Sequence, residues 1–220
     1  MGRVAGAEDG GGRVLRTNQD FVNDLVARGL VRTAAIVSAL TDVDRKHFVG
    51  LENEDVAYAD RPLPIGNDQT ISQPATVAFM LELLGAQLGD HVLDLGAGSG
   101  WTSALLAHIV GPQGAVLGIE REPDLVRFGQ GNLARYDMLE HAAIEQSRPD
   151  ALGAPDAAPF DRVLVSASAP EIPDALVKQL RIGGVMVIPV KESLLRVTRT
   201  GEEDVDAQEY PGFAFVPLIP

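Results

Sequence analysis

The stretch Val92-Leu93-Asp94-Leu95-Gly96-Ala97-Gly98-Ser99-Gly100 decides the fold of this chain. A short, mainly apolar run, which indicates a buried strand, leads directly into three glycines at alternate positions, and the residues at 102–110 then follow a helical pattern. Glycines let the backbone turn tightly and approach a ligand closely, while the N-terminus of the helix offers free N–H groups. The pattern predicts a strand, a glycine turn and a helix. A turn of this kind without any ligand remains an alternative.

An acidic residue strengthens the ligand interpretation. Glu120 closes the next predicted strand, 20 residues beyond Gly100. Doubly wound folds place a carboxylate there to bind two ribose hydroxyls, so the two features together favour a cofactor that contains adenosine. A dinucleotide motif, G-x-G-x-x-G, would need its third glycine at Trp101. A pyrophosphate cradle is therefore disfavoured, and a cofactor without phosphates is preferred.

Strand and helix patterns alternate from about residue 90 onward, which favours a parallel sheet covered on both faces. The core strands are predicted at 92–95, 115–119, 162–166 and 185–190, and the helices between them at 102–110, 124–136 and 173–180. Two later segments, 194–200 and 213–218, look like closing strands. Their short connections predict an antiparallel edge.

The residues before this core have a different character. Apolar spacing predicts two short helices between Asn18 and Leu40, followed by a loop at 44–67 that contains several prolines and glycines. A loop of this length inside a compact domain is usually functional. A new helix is predicted to begin at Pro74, because proline suits the first helical position.

These patterns together predict an α/β fold. We expect a doubly wound, mostly parallel, Rossmann-like sheet with helices on both faces, an N-terminal helical extension and an antiparallel C-terminal edge. We expect a disordered tail at 1–16 and a single domain at 17–220. Within that domain, 17–73 forms a helical and loop region on the substrate side, and 74–220 forms the cofactor-binding core.

Composition excludes several classes of function. The 220 residues include 18 Lys and Arg against 31 Asp and Glu, a formal net charge of −13, which opposes attraction to nucleic acid and to anionic membranes. No apolar run approaches the roughly 18 residues of a membrane span. The absence of Cys excludes disulfides and fits a reducing cytoplasm, and the four His show no metal-ligand spacing. We expect a cytoplasmic protein that binds no metal, nucleic acid or membrane; its oligomeric state is open.

Several segments resemble the protein-L-isoaspartate O-methyltransferase family. The glycine stretch is similar to the first motif of S-adenosylmethionine-dependent methyltransferases, and Ile119-Glu120-Arg121 is similar to their ribose-binding acidic motif. The segments that carry the more specific resemblance occur in the family's order and are Asp60-Arg61-Pro62-Leu63-Pro64-Ile65-Gly66, Gln69-Thr70-Ile71-Ser72-Gln73-Pro74, Ala167-Ser168-Ala169-Pro170 and Phe215-Val216-Pro217-Leu218. The pre-helix element is far more specific than the glycine motif.

The resemblance implies methyl transfer from S-adenosyl-L-methionine to a carboxylate of an L-isoaspartyl residue in a protein or peptide, with S-adenosyl-L-homocysteine as product. It places Gln69, Thr70 and Ile71 across the methionine end of the cofactor. It also makes Ser72 the catalytic residue, next to the reactive carboxylate. As an alternative, Ser72 only caps the helix that begins at Pro74.

The resemblance assigns the other cofactor contacts to the core strands. Gly96, Gly98 and Ser99 line the methionine portion, with Asp94 beneath it. Glu120 binds the ribose. The chemistry needs no general base, because a carboxylate with a pKa near ~4 is already ionised at neutral pH. This agrees with the absence of an obvious Ser-His-Asp arrangement in the sequence.

Two departures from the family's pattern leave alternatives open. Asp150 falls where the family carries the Asp of a Gly-Asp-Gly turn beside the adenine, but here its neighbours are Pro149 and Ala151. The link Lys191-Glu192-Ser193 is shorter than the glycine-rich insertion of many members. One alternative is an O-methyltransferase that esterifies an Asp side chain of one dedicated peptide, as in natural-product tailoring. Another is a non-catalytic binding module on the same fold.

Overall fold

A small hairpin and a seven-stranded sheet contain all the strands of the computed structural model, which describes residues 15–219. The hairpin is formed by β1 (Leu63–Gly66) and β2 (Gln69–Ile71). The sheet consists of β3 (His91–Leu95), β4 (Ala115–Glu120), β5 (Ala142–Gln146), β6 (Phe160–Val165), β7 (Leu180–Val190), β8 (Ser193–Arg199) and β9 (Val205–Pro211). The tail predicted at 1–16 lies outside the described residues, apart from Leu15 and Arg16.

The strand order of the sheet is β5-β4-β3-β6-β7-β8-β9. The first five strands are parallel, and β8 and β9 are antiparallel additions at one edge. The chain passes from β3 to β4 and β5 on one side, then returns to β6 and β7 on the other. This reversal creates a topological switch point between β3 and β6, where α/β proteins bind their ligands. The predicted fold class is confirmed.

Six helices accompany the sheet in the part of the chain that the structure describes. They are α1 (Asn18–Ala27), α2 (Ala34–Asp42), α3 (Pro74–Leu84), α4 (Trp101–Val110), α5 (Pro123–Arg135) and α6 (Asp174–Val177). Between residues 15 and 219, no helix is long and apolar enough to cross a membrane.

Alternate residues of each parallel strand point to opposite faces of the sheet, and this alternation produces two apolar clusters. Val92 and Leu164 belong to the cluster that contains the buried faces of α1 to α5. Leu93 and Val163 belong to the opposite cluster, which includes Leu176 of α6. Burial of each such side chain contributes about 1.5–3 kcal/mol, so both clusters hold the sheet edge above them in place.

The N-terminal region contains more structure than its proline-rich sequence predicts. The two helices between Asn18 and Leu40 are confirmed. The predicted loop at 44–67, however, contains two short 3-10 helices, Arg45–Phe48 and Leu51–Val56, and the first strand of the hairpin. The hairpin turn consists of two residues with positive φ, as tight hairpins require. Because prolines are typical of loops, Pro62 and Pro64 keep the sequence pattern from indicating this strand.

The C-terminal region corrects two predictions. The strand predicted at 213–218 is wrong: this segment is irregular apart from a bridge between Pro217 and Ser168. The edge strand is β9, which is exposed at nearly every position and therefore carries no apolar signal. The helix predicted at 173–180 shrinks to the four residues of α6, because β7 already begins at Leu180. The strand β5 is a further element that the sequence pattern does not predict.

Candidate active site

A cavity of about 310 Å³ lies at the carboxyl ends of β3, β4 and β6. This volume lies within the range of small-molecule sites, about 300–1,000 Å³. Its wall is formed by the hairpin, the glycine turn after β3, the end of β4 and the C-terminal segment. The predicted site residues that line it are Gln69, Thr70, Ile71, Ser72, Gly96, Gly98, Ser99 and Glu120.

The three glycines of the turn after β3 have different tasks. All three have positive φ, from +54° at Gly98 to +86° at Gly100. A Cβ at Gly98 would lie 3.2 Å from Cδ1 of Ile65, across the cavity wall. A Cβ at Gly100 would instead lie 3.1 Å from the backbone of Gly129 in α5. Gly98 therefore keeps the cavity open, whereas Gly100 lets two helices approach each other.

Asp94 lies beneath the cavity rather than in its wall, and it is fully buried. Its Oδ2 accepts hydrogen bonds from the hydroxyls of Thr102, at 2.7 Å, and Ser103, at 2.6 Å. Its Oδ1 is buried without a partner among the described residues. Burial raises the pKa of Asp94 to about 6, the two hydroxyl bonds oppose this shift, and the charge of Glu120 adds to it. The carboxyl group of Asp94, which lies beneath the glycine turn, is therefore costly to ionise.

Glu120 ends β4 at the cavity wall and is 8% exposed. Its Oε2 accepts a hydrogen bond from the N–H of Gly98 at 2.8 Å. Its Oε1 accepts bonds from the N–H groups of Arg121, at 2.7 Å, and Glu122, at 2.9 Å. These donors fix the carboxylate next to the glycine turn. These bonds occupy three of the roughly four acceptor positions of the carboxylate, so one position on Oε2 remains for a hydroxyl of a ligand.

Ser72 lines the cavity where the hairpin meets α3. The N-cap residue of α3 is Gln73. Within residues 15–219, the side chain of Ser72 accepts no hydrogen bond from the N–H groups at the start of this helix. Instead, the N–H of Ala75 donates to Oδ1 of Asp60 at 2.9 Å. The other oxygen of Asp60 forms a 2.8 Å ion pair with Arg28 of α1. This geometry contradicts the helix-cap alternative and leaves the Ser72 hydroxyl available to a ligand.

Asp150 is the predicted site residue that lies away from the others. It follows β5 in a turn, and its side chain is 84% exposed. Its nearest cationic neighbour is Arg148, at 3.9 Å. Ser147 at the end of the same strand does line the cavity. The role of Asp150 beside the adenine therefore stays a prediction.

Sequence reasoning missed several residues of the site. For Trp101, the first residue of α4, the sequence favours packing and leaves open that the ring shields a cofactor; the residue is 2% exposed and lines the cavity. The hydroxyls of Thr102 and Ser103 reach Asp94 because the glycine turn brings the first turn of α4 back to the end of β3. The residues from Val216 to Ile219 form a further wall. Their apolar run suggested a strand, and only their resemblance to the family marked them.

Comparison with known proteins assigns the chain to a family. Residues 16–220 match the sequence profile of protein-L-isoaspartate(D-aspartate) O-methyltransferase. The chain belongs to this family. The protein-L-isoaspartate O-methyltransferase of Methanopyrus kandleri is 40% identical over 210 residues, which cover 93% of this chain and 92% of that protein. The corresponding protein of Methanothrix thermoacetophila is 44% identical, over 84% of this chain and 87% of its own.

A solved structure agrees with this assignment. The structure of a protein-L-isoaspartate O-methyltransferase from Plasmodium falciparum, in complex with S-adenosyl-L-homocysteine, matches this fold with a TM-score of 0.84. The sequences are 25% identical, and the match covers 93% of this chain and 99% of that one. The seven-stranded sheet and its antiparallel edge therefore belong to an established methyltransferase architecture.

The residues around the cavity fit the cofactor of this family. The positive φ at Gly98 and the missing Cβ there allow a ligand to approach the backbone closely. Glu120 holds an acceptor at one wall, and the apolar surface of Ile71 lies at another. A metal is not suggested: within residues 15–219 no group of three His, Asp or Glu could hold one.

Proposed function

We propose that this chain is a carboxyl O-methyltransferase that uses S-adenosyl-L-methionine to esterify L-isoaspartyl residues of proteins or peptides. The observation that carries the proposal is the juxtaposition of Gly98 and Glu120, joined by a 2.8 Å hydrogen bond at the cavity wall. A close backbone approach and a fixed carboxylate on the next strand suit an adenosine ligand without phosphates. Membership of the family supports the acceptor.

We assign the cofactor contacts to residues around the cavity and to the turn after β5. Gly96, Gly98 and Ser99 would contact the methionine portion, and Glu120 would bind the ribose through the acceptor position that remains on its Oε2. Asp150 would have to contact the adenine from the turn after β5. When bound, S-adenosyl-L-methionine supplies a methyl group that its sulfonium centre already activates.

The residues of the chain then have two tasks, alignment and exclusion of water. An acceptor carboxylate is ionised at neutral pH, so no side chain has to remove a proton. The hydroxyl of Ser72 would donate a hydrogen bond to one carboxylate oxygen and direct the other towards the cavity. Ile71 and Val216 contribute apolar side chains to the wall, which would exclude water. Alignment of this kind can supply about 7–11 kcal/mol.

Two measurements on the wild-type protein test the proposal. Calorimetry with S-adenosyl-L-homocysteine tests the cofactor, and we expect one site per chain. Methyl transfer to a pair of synthetic peptides, identical except for L-isoaspartate or L-aspartate at one position, tests the acceptor. Transfer to the isoaspartyl peptide alone supports the proposal. Binding without transfer to either peptide would favour a dedicated peptide substrate or a binding module.

The ribose assignment has its own test in Glu120→Ala. Loss of charge-assisted hydrogen bonds costs about 1.5–3 kcal/mol, so we expect the affinity for S-adenosyl-L-homocysteine to fall tenfold to a hundredfold. Glu203→Gln is the matched control, since this exposed acid lies in the turn between β8 and β9. Wild-type affinity in a folded Glu120→Ala protein would remove the assignment.

Two features of the wider proposal rest on sequence and family. A protein or peptide acceptor agrees with the family's name. A cytoplasmic location is supported by the absence of Cys in the 220 residues. Fractionation of the source cells, followed by immunodetection, tests the location directly.

A further inference from the structure

Arg45 is a buried cation close to the site. It begins the 3-10 helix Arg45–Phe48, and its side chain is fully buried. Its guanidinium donates hydrogen bonds to the carbonyl oxygens of Ala57, Arg61, at 3.2 Å, and Ser72, at 3.1 Å. Between residues 15 and 219, Arg45 forms no ion pair with a carboxylate. Backbone carbonyls from three segments therefore provide its polar contacts.

The same guanidinium also contacts the cofactor side of the cavity. Its central carbon lies 5.2 Å from the centroid of the Trp101 ring, within the range of a cation–π contact. Trp101 begins α4 directly after the glycine turn and lines the cavity. Arg45 thus touches both the backbone of Ser72 and a wall residue of the cofactor cavity.

Burial of the charged Arg45 guanidinium costs free energy, which specific contacts must offset. Burial lowers the pKa of Arg45 to about 9, and the nearby charge of Asp60 only partly offsets this effect. A guanidinium is flat and carries five donors in fixed directions, so it can bond several carbonyls at its edge and stack on an indole with its face. A lysine ammonium has the charge but lacks both the plane and the fixed directions.

We propose that Arg45 is a positioning residue for methyl transfer, which fixes the Ser72 segment relative to the cofactor cavity by joining the Ser72 carbonyl to the Trp101 ring. The inference rests on the proposed function, since Ser72 is there the residue that orients the acceptor. Arg45 itself touches neither the acceptor nor the cofactor.

The experiment compares wild type with Arg45→Lys, and it uses Trp101 as a probe because the chain contains no other Trp. We expect Arg45→Lys to lower kcat at least tenfold at saturating peptide and cofactor. Its affinity for S-adenosyl-L-homocysteine should stay within threefold of wild type, because the glycine turn and Glu120 are untouched. We expect the emission maximum of Trp101 to shift, since its cationic neighbour has moved.

The matched control is Arg162→Lys. Arg162 is also largely buried and also donates to a backbone carbonyl, that of Gly85, but it lies outside the cavity wall. We expect its kcat and Trp101 emission to remain those of wild type. A folded Arg45→Lys protein with wild-type kcat and unchanged emission would overturn the proposal.

A second pair of variants decides the question if Arg45→Lys fails to fold. Trp101→Phe keeps an aromatic face for the guanidinium, and Trp101→Leu removes it. We expect the kcat of the Leu variant to fall at least tenfold below that of the Phe variant, and by a larger factor than its affinity for S-adenosyl-L-homocysteine falls. Equal losses of kcat and affinity in the Leu variant would refute the positioning role.

These outcomes remain separate from the proposed function. A wild-type protein that binds S-adenosyl-L-homocysteine but leaves the isoaspartyl peptide unesterified would refute the acceptor, and with it the kcat comparison. The emission of Trp101 in wild type and Arg45→Lys does not depend on the acceptor. Unchanged emission would then refute the contact between Arg45 and Trp101 on its own.

Discussion

The hydroxyl of Ser72 lies where one side chain could serve either the fold or the chemistry, and the structure separates these roles. Asp60 caps α3, so Ser72→Ala should leave the free energy of unfolding within about 0.5 kcal/mol of wild type. If the hydroxyl aligns the acceptor, loss of one bond to a charged group costs about 1.5–3 kcal/mol and lowers kcat tenfold to a hundredfold. Urea unfolding and peptide methylation on one preparation measure both quantities.

Asp60→Ala is the counterpart of this variant. It removes the acceptor for the N–H of Ala75 and the partner of Arg28, so we expect a loss of about 1 kcal/mol in stability. A Ser72→Ala protein that is destabilised but keeps wild-type kcat would exclude Ser72 from catalysis.

The backbone at Gly98 supplies a prediction about cofactor binding. Gly98→Val introduces a branched side chain at φ +54° and 3.2 Å from Ile65, so we expect no detectable binding of S-adenosyl-L-homocysteine. The control is Gly85→Ala at the end of α3, where φ is +60° but nothing lies within 4 Å of an added Cβ. It carries similar backbone strain without obstructing the cavity. A folded Gly98→Val protein with normal affinity would show that the turn is only structural.

The residues that the sequence predicted differ from those it missed in whether a regular spacing along the chain marks them. Gly98 and Glu120 could be identified because the spacing of successive strand ends in a doubly wound fold is regular. Arg45 and Asp60 could not, because their contacts with Ser72 and Ala75 depend on tertiary packing that no regular spacing in the sequence indicates. A single charged residue in a loop carries no periodic signal.

At the scale of elements, the C-terminal segment at 216–219 closes one side of the cavity without forming a strand. Two backbone hydrogen bonds attach it, from the N–H of Ser168 to Val216 at 2.7 Å and from the N–H of Leu218 to Ser168 at 2.8 Å. Upstream, Phe213 stacks on Phe79 of α3 at 5.5 Å. The segment therefore has an anchor that is independent of its wall residues.

This arrangement predicts the effect of a truncation. A chain that ends at Phe215 keeps the anchor but loses the wall from Val216 onward. Removing apolar contacts of this size costs about 1.5–3 kcal/mol, so the affinity for S-adenosyl-L-homocysteine should fall tenfold to a hundredfold in calorimetry. A chain that ends at Leu218 retains both backbone bonds and should lose less. Equal affinities in all three proteins would mean that the segment does not contact the cofactor.

The elements that the sequence predicted are those with strong burial periodicity. The helix that begins at Pro74 and the core strands β3, β4 and β6 combine an apolar pattern with a clear boundary signal. β9 has no buried face, and β1 contains a proline, so the pairing of each depends on a neighbouring strand that local sequence does not reveal. Sheet edges are for this reason the least predictable parts of the fold.

At the scale of the whole molecule, the net charge of −13 and the buried carboxylate of Asp94 both favour the folded state as the pH is lowered. Lowering the pH neutralises acidic groups that repel one another, and it also protonates a carboxyl that burial makes costly to ionise. The pKa of Asp94 rises from 3.8 in the unfolded chain to about 6 in the native state. Between these two pKa values, Asp94 therefore binds a proton more readily in the native state than in the unfolded chain.

The last prediction follows from this difference in proton binding. As pH rises from 4 to 6, the contribution of Asp94 to the free energy of unfolding falls by about 2 kcal/mol, since one pKa unit corresponds to about 1.4 kcal/mol and the titration is incomplete at both ends of this range. Asp94→Asn keeps an oxygen for the hydroxyls of Thr102 and Ser103 but cannot ionise. Its stability relative to wild type should therefore increase from pH 4 to pH 7 in urea unfolding. Asp150→Asn, at an exposed carboxylate, is the control and should show no such trend. A constant difference between Asp94→Asn and wild type across this range would mean that Asp94 ionises in the folded protein as readily as in the unfolded chain.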